Sequence, residues 1–397
     1  MTALPGFAAL ASAAVTVVAI ALVLLAAYLL LLTFAALLSR RTVPPPGPST
    51  RRFAVLVPAH DEEVVIGRLL RSLAALDYPR ERYDVCVVAD NCTDRTAEIA
   101  REFGARVFER YDAVEKAKGF ALRWLLTQLT ERYDAFVVLD ADSVVEPNLL
   151  RAVDARLVAG SQVVQAYYSV LNASDSAVAG LRYAALAALH YVRPLGRSAL
   201  GFSVGLKGNG MCFSAPVIER FGWDWFTLAE DVEFHLALVR SGVRVDFAWE
   251  TTVLADMPVT LAQAASQNRR WEGGRLQLLR TQVVGLLVDG LRLRSLMRID
   301  AAIEQLIPPL SVPFLLGLLV LVAALAVGAM PAALFAAASL LGQMLYLATG
   351  LLLVRAPLKA YLALSSAPVY IAWKVGLYAS SIVQGRAQSW IRTSRVS

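Results

Sequence analysis

The sequence predicts an α/β domain flanked by membrane helices, and three observations support this prediction. Of the 397 residues, 57% are hydrophobic and only 18% are charged, whereas soluble domains have about 25% charged residues. All 32 Asp and Glu residues lie between Asp61 and Glu304, so the two ends of the chain carry only basic charge. Within that window, apolar runs alternate with amphipathic stretches, which is typical of a parallel sheet covered by helices on both faces.

The first element is an apolar segment over residues 7–38 that contains no charged residue and is long enough to cross a bilayer as a helix. Arg40 and Arg41 come shortly after it. Because positive residues favour the cytoplasmic side of a membrane, we expect the N-terminus outside and the following domain in the cytoplasm. Residues 1–40 are therefore predicted to be an N-terminal transmembrane helix, and residues 41–52, which are rich in proline, a stiff linker.

The second element is a domain predicted over residues 53–258. Four apolar runs read as its strands, at residues 53–57, 85–89, 106–108 and 135–139. Helical patterns lie between these strands, at residues 62–75, 93–103 and 118–129. In a parallel sheet of this kind, ligands bind at the carboxyl ends of the strands, so the residues that follow each strand are the candidates for a functional site.

Polar residues follow three of the four strands. His60 and Glu62 come after the first strand, Asp90 ends the second, and Asp140 and Asp142 come after the fourth. Polar residues at such positions can also act only as helix caps. Together, however, they place several carboxylates around one crevice, where a cation or ligand must compensate their repulsion. Asp140 and Asp142 suit a hard divalent ion such as Mg²⁺ or Mn²⁺.

The third element, residues 259–300, is apolar with regularly spaced arginines and is predicted to form interfacial helices. Residues 305–355 predict two transmembrane helices with a turn at residues 328–331. Residues 356–397 are predicted to form an interfacial helix and a cytoplasmic tail, because Lys374 in the middle of a membrane span would cost a few kcal/mol. A fourth span over residues 360–383 is the alternative.

With its motifs in this order, the chain resembles the membrane-bound family 2 glycosyltransferases with a GT-A, Rossmann-like fold, which include hyaluronan, chitin-oligosaccharide and cellulose synthases. The resemblance covers roughly residues 53–280 and the flanking helices. It also rests on three further motifs, which are Lys116-Ala-Lys-Gly119, Ala229-Glu-Asp-Val232 and Gln267-Asn-Arg-Arg-Trp271.

The resemblance implies a role for each candidate residue. It implies that the nucleotide of a UDP-sugar is bound by His60, Glu62, Asp90, Lys118 and Asp140. It implies that Asp140 and Asp142 hold the metal ion, that Asp231 is the catalytic base, and that Gln267, Arg270 and Trp271 contact the acceptor and the diphosphate.

Two details leave alternatives open. The family's second strand often ends in two aspartates, and Ala89 stands in place of the first, so the contact to the base rests on Asp90 alone. Thr227 and Glu230 have the spacing of a capping box, so Glu230 could serve only to cap a helix.

The resulting prediction is an inverting, metal-dependent glycosyltransferase that extends a polysaccharide from a UDP-sugar at the cytoplasmic face of a bacterial inner membrane. The alternative is transfer of a single sugar to a lipid acceptor such as a polyprenyl phosphate or a glycolipid. The expected partners are the donor, a polysaccharide or lipid-linked acceptor and membrane lipids. No nucleic acid is expected, because the excess positive charge lies beside the apolar segments. A catalytically inactive scaffold would not need Asp140, Asp142 and Asp231.

Overall fold

A computed structural model describes residues 5–45 and 49–384 of the protein. The strands are β1 (Phe53–Ala59), β2 (Tyr83–Asp90), β3 (Arg106–Arg110), β4 (Ala135–Val138), β5 (Ser143–Val145), β6 (Val163–Val170), β7 (Met211–Ser214) and β8 (Val245–Ala255). The α-helices are α1 (Pro5–Leu38), α2 (Ile66–Ala74), α3 (Thr96–Glu102), α4 (Lys118–Gln128), α5 (Leu149–Val158), α6 (Ala177–Leu186), α7 (Arg193–Ala199), α8 (Ala215–Phe221), α9 (Glu230–Arg240), α10 (Leu261–Leu278), α11 (Val284–Arg292), α12 (Leu296–Leu306), α13 (Ser311–Ala326), α14 (Met330–Leu353), α15 (Leu358–Ala363) and α16 (Ala367–Gln384).

One eight-stranded sheet forms the centre of the domain, in the order β3-β2-β1-β4-β7-β6-β8-β5. The four strands predicted from the sequence are parallel, as expected, and they form the first half of this order. The second half is mixed, because β7 runs antiparallel to both β4 and β6. Strand β4 therefore ends, and strand β7 begins, at the same edge of the sheet.

The two faces of the sheet are covered by different parts of the chain. Ala54 and Leu56 of β1 belong to a buried cluster that includes residues of α1, α4, α7 and α14. Val55 and Val57, which point to the opposite face because side chains alternate along a strand, pack with residues of α2 and α5. One face of the sheet is thus packed against the long apolar helices of the chain.

Two described helices are long and apolar enough to cross a membrane, namely Ala9–Leu38 and Met330–Leu353. Between these two helices, the structure differs from the sequence prediction, which expected a second complete transmembrane helix there. The 16-residue helix α13 reaches the length of a span only together with α12, and the two helices are bent by 69°. Pro308 and Pro309 lie at this break, where each removes a backbone N–H donor and restricts the preceding residue. The described residues therefore contain two candidate spans, or three if the bent pair is one span.

The tail helix α16 packs along α10 and α13. Its Lys374 is buried and forms an ion pair with Glu272 of α10, with the Nζ and Oε1 atoms 3.0 Å apart, and it also donates to Asn268. The lysine is thus compensated inside the protein. That α16 lies at a membrane interface stays a prediction. The tail beyond residue 384, including Arg392 and Arg395, lies outside the described residues, as do residues 1–4 and 46–48 of the N-terminus and linker.

Candidate active site

A single cavity of about 900 Å³ lies at the strand ends, and all ten residues singled out from the sequence line it. These residues are His60, Glu62, Asp90, Lys118, Asp140, Asp142, Asp231, Gln267, Arg270 and Trp271. The cavity has two distinct regions. We call the region at His60, Asp90, Lys118, Asp140 and Asp142 the sheet end. We call the region at Arg193, Lys207, Arg275, Glu304 and Gln305 the membrane end, because Glu304 and Gln305 belong to the bent helix pair.

The ends of β1 and β2 form one wall of the sheet end. The His60 ring nitrogen Nδ1 lies 2.7 Å from the backbone oxygen of Asp90, which joins the two strand-end loops. The Asp90 carboxylate is buried and pairs with Arg110 of β3, whose Nη1 is 2.7 Å from Oδ1. Burial raises the pKa of Asp90, and Arg110 opposes this shift. Ala89 takes the place of a second aspartate at this strand end, so Asp90 is the only carboxylate of the pair. Arg110 holds it in one orientation.

Lys118 joins the ends of β4 and β7. Its Nζ lies 2.5 Å from Oδ1 of Asp140 and also donates to the backbone oxygen of Gly208. Burial acts to lower the pKa of Lys118, but the surrounding carboxylates, Asp140 first, raise it above its ordinary value. The lysine is therefore charged, and it fixes Asp140 against the loop that leads into β7.

Asp231 lies at the N-terminus of α9, beside the same loop. Gly208 has a φ of 75°, and a Cβ at this position would lie 3.6 Å from Oδ2 of Asp231, so the glycine backbone lines the immediate surroundings of the carboxylate. Burial raises the pKa of Asp231. Burial, followed by the charge of Asp231, raises the pKa of Glu230 to about 7. A carboxylate with a raised pKa in a cavity has the proton affinity that a general base needs.

The capping-box interpretation of Glu230 is wrong. The Thr227 hydroxyl instead donates to Oε2 of Glu233, at 2.9 Å. The residue before the helix, Ala229, makes no side-chain cap. Glu230 lines the cavity next to Asp231 and takes part in its electrostatics.

Helix α10 brings Gln267, Arg270 and Trp271 to the cavity. Arg182 of α6 holds two of them. Its Nη2 lies 2.5 Å from Oε1 of Gln267, and its guanidinium lies 5.1 Å from the centroid of the Trp271 ring. Arg182 is 4% exposed. Arg270 lines the cavity and has no hydrogen-bond or ion-pair partner within residues 5–45 and 49–384.

Several charged residues of the site were not predicted from the sequence. Arg110, Arg182, Arg193, Lys207 and Arg275 all touch the cavity or a residue that lines it. Arg110 ends the edge strand β3 but belongs to no recognised motif, and the other four reach the site from helices or from a loop that is distant in the sequence. The sequence Gly208-Asn-Gly210 directly follows Lys207, and its two glycines indicate a turn there.

The described residues also contain one group of three potential metal ligands, Asp61, Cys92 and Asp94, in the loops after β1 and β2. Hydrogen bonds within these loops explain why they are close. Asp61 accepts from the backbone N–H of Thr93 at 2.7 Å, and Asp94 accepts from that of Thr96 at 2.9 Å. This group differs from the pair predicted to hold a metal, Asp140 and Asp142.

The sequence profile of the family described as glycosyltransferase like family 2 matches residues 49–274. Because the match covers more than half of the chain, the protein belongs to this family and is a glycosyltransferase, as predicted. The predicted α/β class with a Rossmann-like GT-A domain is likewise confirmed.

Among curated proteins, the chain is 27% identical over 236 residues to the Probable glycosyltransferase YdaM of Bacillus subtilis, an alignment that covers 56% of this chain and 55% of that protein. It is 29% identical over 230 residues to the Beta-monoglucosyldiacylglycerol synthase of Nostoc, covering 56% of this chain and 48% of that protein. The chain thus spans about half the length of the curated relatives it matches.

Among solved structures, the mannosyltransferase PcManGT of Pyrobaculum calidifontis, determined in complex with GDP-Man and Mn²⁺, superposes with a TM-score of 0.61. The superposition covers 94% of this chain and 98% of that one, at 20% identity. The likeness therefore extends beyond the catalytic domain to the flanking helices, and at this identity it concerns the fold.

Proposed function

We propose that the protein transfers a sugar from a nucleoside diphosphate sugar to a lipid acceptor, with inversion at the anomeric carbon. One observation carries this proposal. The cavity that holds the strand-end carboxylates continues to Glu304 and Gln305 of the bent helix pair. A lipid whose chains stay in the bilayer can therefore present its head group to the donor site. The relatives named as glucosyldiacylglycerol synthases support this choice of acceptor.

We assign a different step of the reaction to each group of residues in the cavity. His60, Glu62 and Asp90 line the sheet end and are assigned to the nucleotide, with UDP as the predicted carrier. As the acceptor oxygen attacks the anomeric carbon, its proton passes to Asp231 and the bond to the diphosphate breaks. One base acting opposite the leaving group gives inversion. Lys118 supplies a fixed positive charge beside Asp140, where the diphosphate is assigned.

The donor set at the end of β4 fits a divalent ion. Asp140 and Asp142 both line the cavity, and Lys118 takes one oxygen of Asp140 while the other accepts no hydrogen bond from a described residue. Carboxylate oxygens are the ligands that Mg²⁺ and Mn²⁺ prefer. When bound by Asp140 and Asp142, such an ion would stabilise the negative charge of the departing diphosphate.

Extension of a polysaccharide, the leading prediction from the sequence, is the second candidate. The observation that favours it is the placement of Gln267, Arg270 and Trp271 together on the cavity wall. A sugar stacked on Trp271 would stay bound after each transfer, and slow release favours repeated addition. Wild-type enzyme should then make long products, and Trp271→Ala should shorten them.

The proposed location is a bacterial inner membrane, with the catalytic domain in the cytoplasm. The support is the positive charge at Arg40 and Arg355, beside the apolar helices. Cys86 and Cys212 are buried, so a Cys92→Ser background leaves few accessible thiols. In that background, a cysteine introduced at the exposed Lys116 should react only with reagents that reach the cytoplasm. Labelling from the opposite side of the membrane would reverse the orientation.

The test of function uses the full chain in lipid nanodiscs, incubated with UDP- and GDP-sugars in turn, with products identified by mass spectrometry. The proposal expects one sugar added to a lipid from a single type of donor. Long chains of sugar would establish the second candidate instead. Hydrolysis of the donor without any glycosylated lipid or chain would contradict both.

A further inference from the structure

The membrane end of the cavity carries buried positive charge that its carboxylates do not balance. Its cations come from three elements, with Arg193 on α7, Lys207 before β7 and Arg275 on α10. Buried charges are costly unless they are paired, so the partners of each cation decide what the region can bind.

The carboxylates of α12 are already engaged by Arg197. Its Nε lies 3.0 Å from Oδ2 of Asp300, and it also forms an ion pair with Glu304. Arg275 has a different partner, because its Nη2 lies 3.1 Å from the backbone oxygen of Glu304 and 3.0 Å from that of Gln305. These oxygens are at the C-terminus of α12, where the helix dipole is negative. Arg197 and Arg275 are therefore compensated.

Arg193 is compensated only in part. It is 5% exposed, and its Nε donates to the phenol oxygen of Tyr346 at 2.8 Å. Its guanidinium carbon also lies 5.6 Å from the centroid of the Tyr346 ring. Its two terminal nitrogens have no hydrogen-bond partner within the described part of the chain, and the side chain lines the cavity. Arg193 follows a π-helical turn, Ala187–Val192, a kind of distortion that is frequent at functional sites.

Lys207 is the second cation without full compensation. Its Nζ lies 3.8 Å from Oε1 of Glu304, a carboxylate that Arg197 already holds. A Cβ on Gly205 would lie 3.0 Å from this Nζ, so the glycine leaves room for the ammonium group. Burial lowers the pKa of Lys207, the charge of Glu304 opposes this shift, and the charge of Arg197 adds to it.

Glu304 supplies one negative charge that Arg193, Arg197 and Lys207 share, and the other neighbouring side chains add little to it. Burial lowers the pKa of His190 to about 3 and that of His235 to about 4, so both rings on the cavity wall are neutral. Glu272 is paired with Lys374. Asp231 is close enough to affect Lys207 but belongs to the reaction centre.

We propose that Arg193 and Lys207 form a binding site for a phosphate group on the acceptor lipid, so that the acceptor is an anionic lipid with a hydroxyl on its head group. This inference rests on the proposed lipid acceptor and narrows its class. The phosphate binds at the membrane end, and the hydroxyl of the same head group reaches Asp231. A neutral diacylglycerol leaves both cations without a partner.

The experiment compares two lipids with the same acyl chains, phosphatidylglycerol and diacylglycerol, added to the full-length protein in micelles of an uncharged polyoxyethylene detergent. Native mass spectrometry gives the fraction of protein that carries each lipid. A hydrogen bond to a charged group contributes about 1.5–3 kcal/mol, or about tenfold or more in affinity. Wild-type protein should therefore prefer phosphatidylglycerol by about tenfold or more.

Two variants and one control locate the preference. Arg193→Gln can still donate to Tyr346, and Lys207→Gln keeps a polar side chain near Glu304. Each should lose most of the preference. Lys116→Gln removes a cation from the sheet end of the same cavity, and it should retain the preference. UDP binding should change little in Arg193→Gln and Lys207→Gln, which shows that they are folded.

Competitors separate the sources of the phosphate. Inorganic phosphate should displace phosphatidylglycerol from the wild type but not affect the residual binding of Arg193→Gln. Equal binding of the two lipids, binding of inorganic phosphate alone, or displacement of phosphatidylglycerol by UDP would each overturn the inference. Sugar transfer to diacylglycerol without this preference would leave the proposed function standing. A preference without any sugar transfer would instead contradict the proposed function.

Discussion

The two ends of the cavity have opposite charge. The sheet end is lined mainly by carboxylates, among them Asp90, Asp140 and Asp142, with Lys118 bound to Asp140. The membrane end is lined mainly by cations, among them Arg193 and Lys207. Both sets are partly or fully buried, so neither is neutralised by water alone. In the proposed function, a divalent cation binds at the sheet end and an anion binds at the membrane end.

The reaction centre lies between these two ends. Asp231 and Glu230 are at the N-terminus of α9. The positive charge of Lys118 acts to lower the pKa of both carboxyls, and that of Lys207 acts to lower the pKa of Asp231. In the proposed function, the donor and the acceptor are therefore held by separate groups. Substitutions at one end should change the binding of one substrate and leave the other nearly unaffected.

The largest expected effect follows from removing Asp231, the proposed base between the two ends. Asp231→Asn keeps the size of the side chain but cannot accept the proton of the acceptor. Loss of a general base typically reduces the rate by about 10²–10⁴-fold. We expect kcat to fall within this range while the affinities for UDP and for acceptor lipid change by no more than about threefold. Transfer assays and equilibrium binding measure both quantities, and turnover near the wild-type rate would remove Asp231 from the role of base.

The second prediction tests the sheet end. Asp142→Asn, or removal of divalent ions from the wild type with a chelator, should weaken nucleotide binding by about tenfold or more, because the diphosphate loses a charged partner. Lipid binding at the membrane end should be unchanged. Isothermal titration with UDP, with and without Mn²⁺, measures the effect. Asp175→Asn, which removes another carboxylate that lines the cavity, is the control. Metal-independent binding of UDP would contradict the assignment.

Much of the sheet could be predicted because its signals are local. The apolar run at residues 53–57 became β1, and the run at residues 135–139 became β4, each within two residues of its observed bounds. The antiparallel strand β7 was not predicted, because its direction is set by long-range pairing with β4. Pro308 could have indicated the break between α12 and α13. It was not predicted, because the residues on both sides are hydrophobic and resemble one continuous span.

The residues of the site likewise fall into those that local signals predict and those that they do not. Residues at strand ends, such as Asp90 and Asp140, could be found because the topology of a parallel sheet brings its strand ends together. Arg182 and Arg193 could not, since a lone arginine in an apolar helix has no periodic or motif signal. Their roles depend on tertiary contacts with Gln267 and Tyr346 that are more than 80 residues away.

The third prediction concerns the wall that joins the two ends. Arg182 is a positioning residue, since it contacts Gln267 and the Trp271 ring and is not itself assigned to a substrate. Arg182→Ala should release both side chains and raise the KM for the acceptor by about tenfold, the effect of losing about 1.4 kcal/mol. The KM for the donor should stay within about twofold.

The conservative variant separates positioning from folding. Arg182→Lys keeps the charge over Trp271, for which a cation–π contact contributes about 0.5–2 kcal/mol, but it loses the planar guanidinium that reaches Gln267. It should restore part of the acceptor KM. An equal rise in the KM of both substrates, accompanied by a loss of thermal stability, would indicate a purely structural role for Arg182.

The smallest expected effect is a shift in the pH profile, and it tests the coupling of the two carboxylates. Burial, and next the charge of Asp231, raise the pKa of Glu230 to about 7, so the pair ionises fully only as the pH rises through neutrality. Because a base must be unprotonated and the two carboxyls titrate as a coupled pair, kcat/KM should fall on the acid side of neutral pH. Glu230→Gln leaves Asp231 as the single titrating carboxyl of the pair, so the ionisation near neutral pH is lost and the acid limb moves to lower pH. Glu233→Gln, whose carboxylate accepts from Thr227 instead, should leave the limb in place. An unchanged limb in Glu230→Gln would mean that Asp231 titrates independently of its neighbour.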